Sequence, residues 1–173
     1  LRTAGTNCDK ETASAFEMAG GEPDLVHITE LSRDEKFLKD YQILAIPGGF
    51  TYGDDIASGK ILANEIKYKL NKDLKNFINS GKLIIGICNG FQVLVRTGLL
   101  PGFEGIDEEE FTTLTFNDSG KFECRWSHLA VNQKSPCIYT KGMENMYIPV
   151  AHGEGKLIGD PPAISKNNIV LYY

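Results

Sequence analysis

The first half of the chain alternates amphipathic helical segments with short apolar runs, and this alternation restricts the possible folds more than any other feature. Apolar residues recur at helical spacing over residues 62–78, and the Ser-Gly pair at 80–81 is typical of a helix end. Apolar runs at 42–46 and 82–87 flank this helix and are continuous enough to be strands buried on both faces. Because strands joined through a helix usually run parallel with a right-handed crossover, we predict an α/β fold with a mainly parallel sheet.

Weaker patterns predict the rest of the chain. The first half should also contain helices at 9–19, capped by Asn7 or Asp9, and at 89–97, with a short strand at 25–28. In the second half, candidate strands alternate with Asn, Asp, Ser and Gly turns at residues 111–116, 121–124, 129–131, 146–150 and 169–173. We therefore predict a hairpin-rich second half at the edge of the sheet, with an acidic solvated loop at 107–110, in a single domain over 1–173.

Composition argues against several classes of function. The 173 residues carry a net charge of -5 without a Lys/Arg cluster, so we expect neither nucleic acid nor an anionic membrane as a partner. No apolar run approaches the roughly 20 residues of a membrane span. The four cysteines are Cys8, Cys88, Cys124 and Cys137. They are unevenly spaced and form no C-x-x-C motif, which argues against a zinc site or a disulfide framework and favours a reducing, cytoplasmic compartment.

The segment Gly86-Ile87-Cys88-Asn89-Gly90 lies between a predicted strand and a predicted helix. It matches the G-x-nucleophile-x-G pattern, in which small flanking residues permit a tight turn that presents the nucleophile above the sheet. The helix N-terminus should lower the pKa of the Cys88 thiol, and the thiolate is the attacking species. The backbone N–H of Asn89 points into the same space and can stabilise an oxyanion. The alternative is a buried, unreactive core cysteine.

Two further features lie near this turn. Gln92 follows Cys88 by one helical turn on the same face, so its amide can bind a substrate near the sulfur, unless it is simply a surface glutamine. The loop at 47–50, Pro-Gly-Gly-Phe, follows the other central strand, and both loops leave a parallel sheet at the same carboxyl edge. Because glycines let a backbone turn its N–H groups inward, the Gly49 and Phe50 region can supply a second oxyanion donor or can form only a flexible turn.

These segments carry a resemblance. The chain resembles the class I glutamine amidotransferases, most closely the family of glutaminase subunits of phosphoribosylformylglycinamidine synthase. The matching segments are P-G-G-F at 47–50, Y-G-D at 52–54, G-I-C-N-G-F-Q at 86–92, G-T-N-C-D at 5–9, G-L-L-P-G at 98–102, N-D-S-G-K-F-E-C-R-W at 117–126 and P-V-A-H-G-E-G at 149–155. The resemblance therefore extends over the whole chain.

The resemblance implies a flavodoxin-like three-layer α/β sandwich and a glutaminase mechanism. Cys88 would attack the carboxamide of glutamine, with the main chains of Asn89 and of the Gly49/Phe50 region as the oxyanion hole and Gln92 holding the substrate. Hydrolysis of the thioester would give glutamate and ammonia. The ammonia would pass to an ATP-dependent synthetase subunit, assisted by a small accessory subunit, that forms formylglycinamidine ribonucleotide in purine synthesis. ATP and magnesium would belong to that synthetase, and no cofactor or metal is expected in this chain.

One departure accompanies the resemblance. In the family, the His and Glu of an H-P-E-R motif near the C-terminus complete a Cys–His–Glu triad, and the 173 residues contain no such motif. Both ends also resemble strands cut short. We therefore expect a truncated domain with little glutaminase activity by itself.

Three histidines remain to be assigned. His152 and Glu154 have the His-x-Glu spacing, and residues two apart on a strand share a face, so Glu154 could orient His152 as an acid–base group for Cys88. The A-H-G-E-G segment matches a different motif of the family, however, so we expect a site-lining or interface role for this pair. His27 is expected to be structural, and His128 to be solvated in a turn.

Two rival functions stay open at this level. The first is a hydrolase or deglycase of a related flavodoxin-like group that also uses a Cys nucleophile, although Gln92 and the 47–50 loop favour amide transfer. The second is a fragment without catalytic activity that docks to a synthetase through the acidic 107–110 loop and the hairpin-rich half.

Overall fold

A computed structural model describes residues 1–33, 37–102, 112–159 and 168–173. The chain divides into two compact units, Leu1–Glu110 and Phe111–Tyr173, called here the N-terminal and C-terminal units. The acidic segment at 107–110 lies outside the described residues.

The N-terminal unit combines helices with a parallel pair of strands. The helices are α1 (Asp9–Met18), α2 (Ile28–Leu31), α3 (Lys60–Lys69), α4 (Asn71–Asn79) and α5 (Asn89–Arg96), the strands are β1 (Ile43–Ile46) and β2 (Leu83–Gly86), and 3-10 turns cover Phe37–Asp40 and Thr51–Asp54. The two strands are parallel and in register from Ile43 opposite Leu83 to Ile46 opposite Gly86. The predicted α/β character and the parallel pairing of these strands are thus confirmed.

The core of this unit contains the apolar stripe that the sequence shows over 62–78. Its buried members are Leu62, Ala63, Ile66, Leu70, Leu74 and Phe77. The prediction of one helix here is wrong, because the backbone at Leu70 leaves the helical region, with φ -121° and ψ 4°, and separates α3 from α4. The apolar spacing continues across this break because both helices contribute to the same core. Within the part of the chain that the structure describes, no helix is long and apolar enough to cross a membrane.

Two predictions near the N-terminus need correction. The predicted strand at 25–28 is only an isolated parallel bridge between Arg2 and His27, because α2 starts directly afterwards at Ile28. The His27 side chain caps that helix by accepting the N–H of Thr29, which is a structural role as expected. The N-cap of α1 is Cys8 and makes no side-chain capping bond, so neither Asn7 nor Asp9 is the cap.

The described residues of the C-terminal unit form antiparallel strands, as expected for the second half, but few of them pair as hairpins. They are β3 (Thr112–Thr115), β4 (Glu123–Val131), β5 (Asn145–His152), β6 (Lys156–Gly159) and β7 (Leu171–Tyr172). Strand β3 pairs with β6, and β4 lies between β5 and β7. The separate strands predicted at 121–124 and 129–131 are parts of the single strand β4, and β6 was not predicted.

Strand β4 alternates between a buried and an exposed face over its last five residues. Ser127, Leu129 and Val131 are buried, whereas the residues between them are exposed. His128 is on the exposed face and its ring stacks on Tyr147 of β5, with 4.3 Å between the ring centroids. The prediction that His128 lies in a turn is therefore wrong, because a two-residue alternation in a polar sequence is a weak strand signal.

Candidate active site

Cys88 occupies the turn between β2 and α5 in a backbone conformation that is rare for a residue with a side chain. Its φ is 53° and its ψ is -110°, and the carbonyl oxygen of Cys88 accepts the N–H of Gln92 at 3.1 Å in the first turn of α5. Strained backbone of this kind is concentrated at functional sites, where surrounding contacts maintain it. The Cys88 side chain is exposed. This placement agrees with a presented nucleophile and not with a buried core cysteine.

The flanking glycines explain how the turn can be so tight. A Cβ on Gly90 would lie 1.9 Å from the carbonyl oxygen of Ile46, and one on Gly86 would lie 2.5 Å from the carbonyl oxygen of Gly90. Real Cβ atoms do not approach other atoms so closely, so only glycine fits either position. Helix α5 therefore starts in direct backbone contact with β1, and Cys88 is presented beyond the end of β2.

The surroundings of the Cys88 sulfur raise its pKa above the ordinary thiol value. Burial of part of the thiol is the largest cause, and electrostatic interactions with Cys8 and Asp54 act in the same direction. The Asn89 backbone N–H, which donates to the sulfur, opposes them and lowers the pKa. The prediction that the helix start gives Cys88 a lowered pKa is therefore wrong. One backbone donor does not outweigh partial desolvation and two neighbouring acidic groups.

The Asn89 side chain is at the centre of a buried hydrogen-bond network. Its Oδ1 accepts the N–H of Thr51 at 3.2 Å and the Thr51 hydroxyl at 2.7 Å. Its Nδ2 donates to Asp54 Oδ1 at 3.0 Å and to Gln92 Oε1 at 3.1 Å. Thr51, Asp54, Asn89 and Gln92 together are called the Asn89 network below. The network links the start of α5 to the 3-10 turn that follows the glycine loop.

Gln92 is buried, with 7% of its surface exposed. It is thus not a surface glutamine. Its side-chain oxygen already accepts a hydrogen bond from Asn89, so a substrate amide would meet the remaining groups of this side chain. Its predicted role in holding glutamine stays a prediction.

The glycine loop after β1 packs against residues 5–8. A Cβ on Gly49, whose φ is 138°, would lie 2.5 Å from the backbone nitrogen of Asn7. A Cβ on Gly48 would lie 3.3 Å from Cys88 Cβ, which places this loop beside the nucleophile. The flexible-turn alternative does not describe a loop held so closely on both sides.

One predicted donor of this loop has other partners. The Phe50 N–H donates to the Gly5 carbonyl oxygen at 2.9 Å and to Asn7 Oδ1 at 3.2 Å. It therefore does not point toward the Cys88 sulfur in this structure. The expectation that Phe50 contributes an oxyanion donor is corrected accordingly, because the segment at 5–8 holds that N–H.

His152 and Glu154 belong to the C-terminal unit. The His152 ring contacts Asn117, whose Oδ1 accepts from His152 Nδ1 at 3.0 Å. The Asn117 Nδ2 donates to the carbonyl oxygens of His152 and Lys121, at 2.8 and 2.9 Å. These two bonds orient the side-chain amide of Asn117 so that its oxygen, Oδ1, faces the His152 ring. This geometry assigns Asn117 to orient His152.

Sequence reasoning missed three residues that shape these sites. Thr51 and Asp54 belong to the Asn89 network, and Asn117 orients His152. The available signals were the Y-G-D segment at 52–54 and the Asn-Asp-Ser-Gly turn at 117–120, both typical of constrained loops. Within the described residues, no group of three or more His, Cys, Asp or Glu side chains could hold a metal ion.

Comparison with known proteins places this geometry in a family. The family model of the CobB/CobQ-like glutamine amidotransferase domain matches residues 1–171. A phosphoribosylformylglycinamidine synthase subunit PurQ from Dehalococcoides mccartyi is 56% identical over 173 residues, which are 100% of this chain and 67% of that protein. A PurQ from Methanococcus maripaludis is 49% identical over 90% of this chain and 58% of its own length.

A solved structure agrees with these relatives. It is described as the structure of PurLQS from Thermotoga maritima, and its matching chain is 36% identical, with a TM-score of 0.75 over 99% of this chain and 71% of that one. The chain thus spans between about three fifths and about two thirds of the length of these two PurQ relatives. It belongs to the CobB/CobQ-like glutamine amidotransferase domain family and is close to the PurQ subunit of phosphoribosylformylglycinamidine synthase.

Proposed function

We propose that this chain is the glutaminase part of a phosphoribosylformylglycinamidine synthase, with Cys88 as its nucleophile. The observation that carries the proposal is the exposed Cys88 in a strained strand-to-helix turn, with the Asn89 N–H donating to its sulfur. The likeness to PurQ over the full chain indicates glutamine as the substrate, because a subunit of this kind would release the amide nitrogen of glutamine as ammonia.

The reaction follows from the groups around the sulfur. Cys88 Sγ forms a bond to the carboxamide carbon of glutamine, and the negative oxygen of the tetrahedral intermediate accepts N–H groups in the space next to the sulfur. We assign these donors to Asn89 and Gly49, because the Phe50 N–H is held by residues 5–8. Collapse of the intermediate breaks the C–N bond and releases ammonia. Water then cleaves the thioester to glutamate and restores the thiol.

The raised pKa of Cys88 adds a requirement to this mechanism. The resting thiol is largely protonated at neutral pH, so a base must remove its proton before attack. The same group, then protonated, must donate a proton to the departing ammonia, because an amide anion is a very poor leaving group. The family resemblance assigns both roles to a histidine of an H-P-E-R motif, which these 173 residues do not contain.

The resemblance to the same family also suggests the fold type and the partners of this chain. The fold is of the flavodoxin-like three-layer sandwich type, which the parallel pair β1–β2 of the N-terminal unit with its helices supports. Ammonia passes to a cytoplasmic synthetase partner that binds ATP and magnesium, with a small accessory subunit in the same complex. The name of the Thermotoga maritima complex supports an assembly of this kind.

The proposal is tested by separating glutamine use from ammonia use. The full-length gene product that carries these residues is assembled with its synthetase partner, and formation of the amidine product is measured with glutamine and with ammonium chloride as nitrogen source. We expect Cys88→Ala to lower the glutamine-dependent rate by at least about 1,000-fold and to leave the ammonia-dependent rate unchanged. Cys124→Ala, at an exposed cysteine of the C-terminal unit, is the matched control and should behave as wild type.

The same experiment decides against the rival functions. Glutamine use that survives Cys88→Ala would overturn the proposal. A glutamine-mimicking electrophile should also label Cys88, and glutamine should protect it. Labelling that glutamine does not slow would favour the hydrolase or deglycase instead.

A further inference from the structure

The Asn89 side chain uses all of its hydrogen-bonding capacity inside the protein. Asn89 is 1% exposed, its oxygen accepts twice from Thr51, and its nitrogen donates to Asp54 and Gln92. A buried amide of this kind has one favourable orientation, because the Thr51 N–H can only donate and the Asp54 carboxylate can only accept. The orientation of Asn89 is therefore set by the residues around it.

Asp54 determines this orientation together with the Thr51 N–H. An ionised carboxylate only accepts hydrogen bonds, so it turns the Asn89 nitrogen toward itself and leaves the Asn89 oxygen for Thr51. Asp54 Oδ1 also accepts the N–H of Gly59 at 2.9 Å, directly before α3. One carboxylate thus connects the loop after β1, the start of α3 and the start of α5.

The loop that contains Asp54 needs such connections. Tyr52, Gly53 and Asp54 have φ values of 54°, 71° and 53°, and two of these residues are not glycine. Each non-glycine residue in this region costs of order 1–3 kcal/mol, which the surrounding contacts must offset. The bond between Asp54 and Asn89 is one of the contacts that hold this loop.

We propose that Asp54 is a positioning residue for amide hydrolysis at Cys88, acting through the side chain of Asn89. The two oxyanion donors assigned above lie on different elements, the Asn89 N–H at the start of α5 and the Gly49 N–H in the loop after β1. The Asn89 network joins these elements through Thr51, which is two residues from Gly49. Asp54 thereby sets the spacing of the two donors. This inference rests on the proposed function.

The test compares Asp54→Ala with Asp55→Ala in the full-length gene product that carries these residues, assembled with its synthetase partner. Asp55 is the exposed neighbouring carboxylate and should leave glutamine turnover unchanged. For Asp54→Ala we expect kcat for glutamine to fall about 100-fold, comparable to the loss of one oxyanion donor, with KM changed by less than about threefold.

A second readout separates positioning from general structural damage. Alkylation of Cys88 by iodoacetamide needs the sulfur but no oxyanion donor, so its rate should not fall by more than about threefold in Asp54→Ala. If Asp54→Ala does not fold, the pair Thr51→Val and Thr51→Ser carries the test. The hydroxyl of serine should recover most of the kcat that valine loses.

The other possible results of these experiments each contradict either the positioning role of Asp54 or the proposed function. Wild-type kcat in Asp54→Ala, together with inactive Cys88→Ala, would reject the positioning role and leave the proposed function intact. Parallel losses of kcat and iodoacetamide reactivity would show that Asp54 only supports the fold, as would equal kcat in Thr51→Val and Thr51→Ser. Wild-type glutamine turnover in Cys88→Ala would reject the proposed function itself.

Discussion

The backbone of Gly90 rests directly on the carbonyl oxygen of Ile46, so that a Cβ on Gly90 would lie 1.9 Å from that oxygen. This contact fixes the start of α5 against the end of β1. A methyl group can enter only if the helix moves, and overpacking of this kind costs about 1–3 kcal/mol or more. We expect Gly90→Ala to lower the free energy of unfolding by about 2 kcal/mol or more and to lower kcat for glutamine at least about 100-fold.

The measurement is chemical denaturation together with glutamine turnover in the assembled complex. Gly153→Ala is the matched control, because a Cβ there would meet only Phe122 Cδ2 at an ordinary 3.8 Å. A Gly90→Ala variant with wild-type stability and kcat would contradict the close contact between α5 and β1.

The pH dependence of Cys88 alkylation follows from its raised pKa. Burial and electrostatic interactions with Cys8 and Asp54 favour the neutral thiol, so thiolate forms only as the pH rises above the ordinary thiol range. We expect the iodoacetamide rate to reach its midpoint at a higher pH than that of glutathione under the same conditions. Asp54→Asn, which removes one negative charge, should move the midpoint downward. A midpoint below that of glutathione would show that the start of α5 dominates after all.

The nucleophile turn could be predicted from the sequence because its determinants are local. Gly86, Cys88 and Gly90 lie within five residues, and their spacing encodes both the tight turn and the close contact with β1. The Asn89 network could not be predicted in the same way. It joins Asp54 and Asn89, which are 35 positions apart, through a loop with positive φ at non-glycine residues. Neither feature leaves a periodic pattern in the sequence.

Two predictions were wrong because the spacing of apolar residues and glycines does not determine backbone breaks or the direction of a single N–H group. The apolar stripe through Leu70 predicts one helix, because a backbone break that keeps both helices on the same core does not alter the spacing. The orientation of the Phe50 N–H depends on Gly5 and Asn7, which come from a distant part of the sequence. Burial patterns predict which residues face the core, but not which acceptor takes a particular N–H.

The Tyr52 hydroxyl links the strained loop to α3. It accepts from Thr3 Oγ1 at 2.7 Å and donates to Glu65, which also accepts from Lys69. We expect Tyr52→Phe to lower the free energy of unfolding by about 1 kcal/mol, and Tyr68→Phe on the exposed side of α3 to have no effect. Thermal or urea unfolding at neutral pH measures the difference.

The pH dependence of this effect has a defined sign. Burial and the hydrogen bond to Glu65 raise the pKa of Tyr52, so the folded protein holds the phenolic proton more tightly than the unfolded chain. The stabilisation by Tyr52 is complete below the unfolded pKa of about 10 and is lost as the pH rises through the folded value. The stability gap between wild type and Tyr52→Phe should therefore shrink in alkaline solution. A gap that is constant or grows with pH would contradict the hydrogen bond.

Asn117 should determine both the local stability and the tautomer of His152. Because Asn117 Oδ1 accepts from the ring, the proton of neutral His152 belongs on Nδ1, which leaves Nε2 as the acceptor. Nitrogen chemical shifts of the ring should therefore show the Nδ1–H tautomer in the wild type and a mixture in Asn117→Ala. The variant also loses the bonds to the His152 and Lys121 carbonyls, so we expect unfolding to become easier by about 2 kcal/mol. Asn145→Ala, at an exposed position of β5, should change neither property. A wild-type ring that carries its proton on Nε2 would instead show that a different group orients His152.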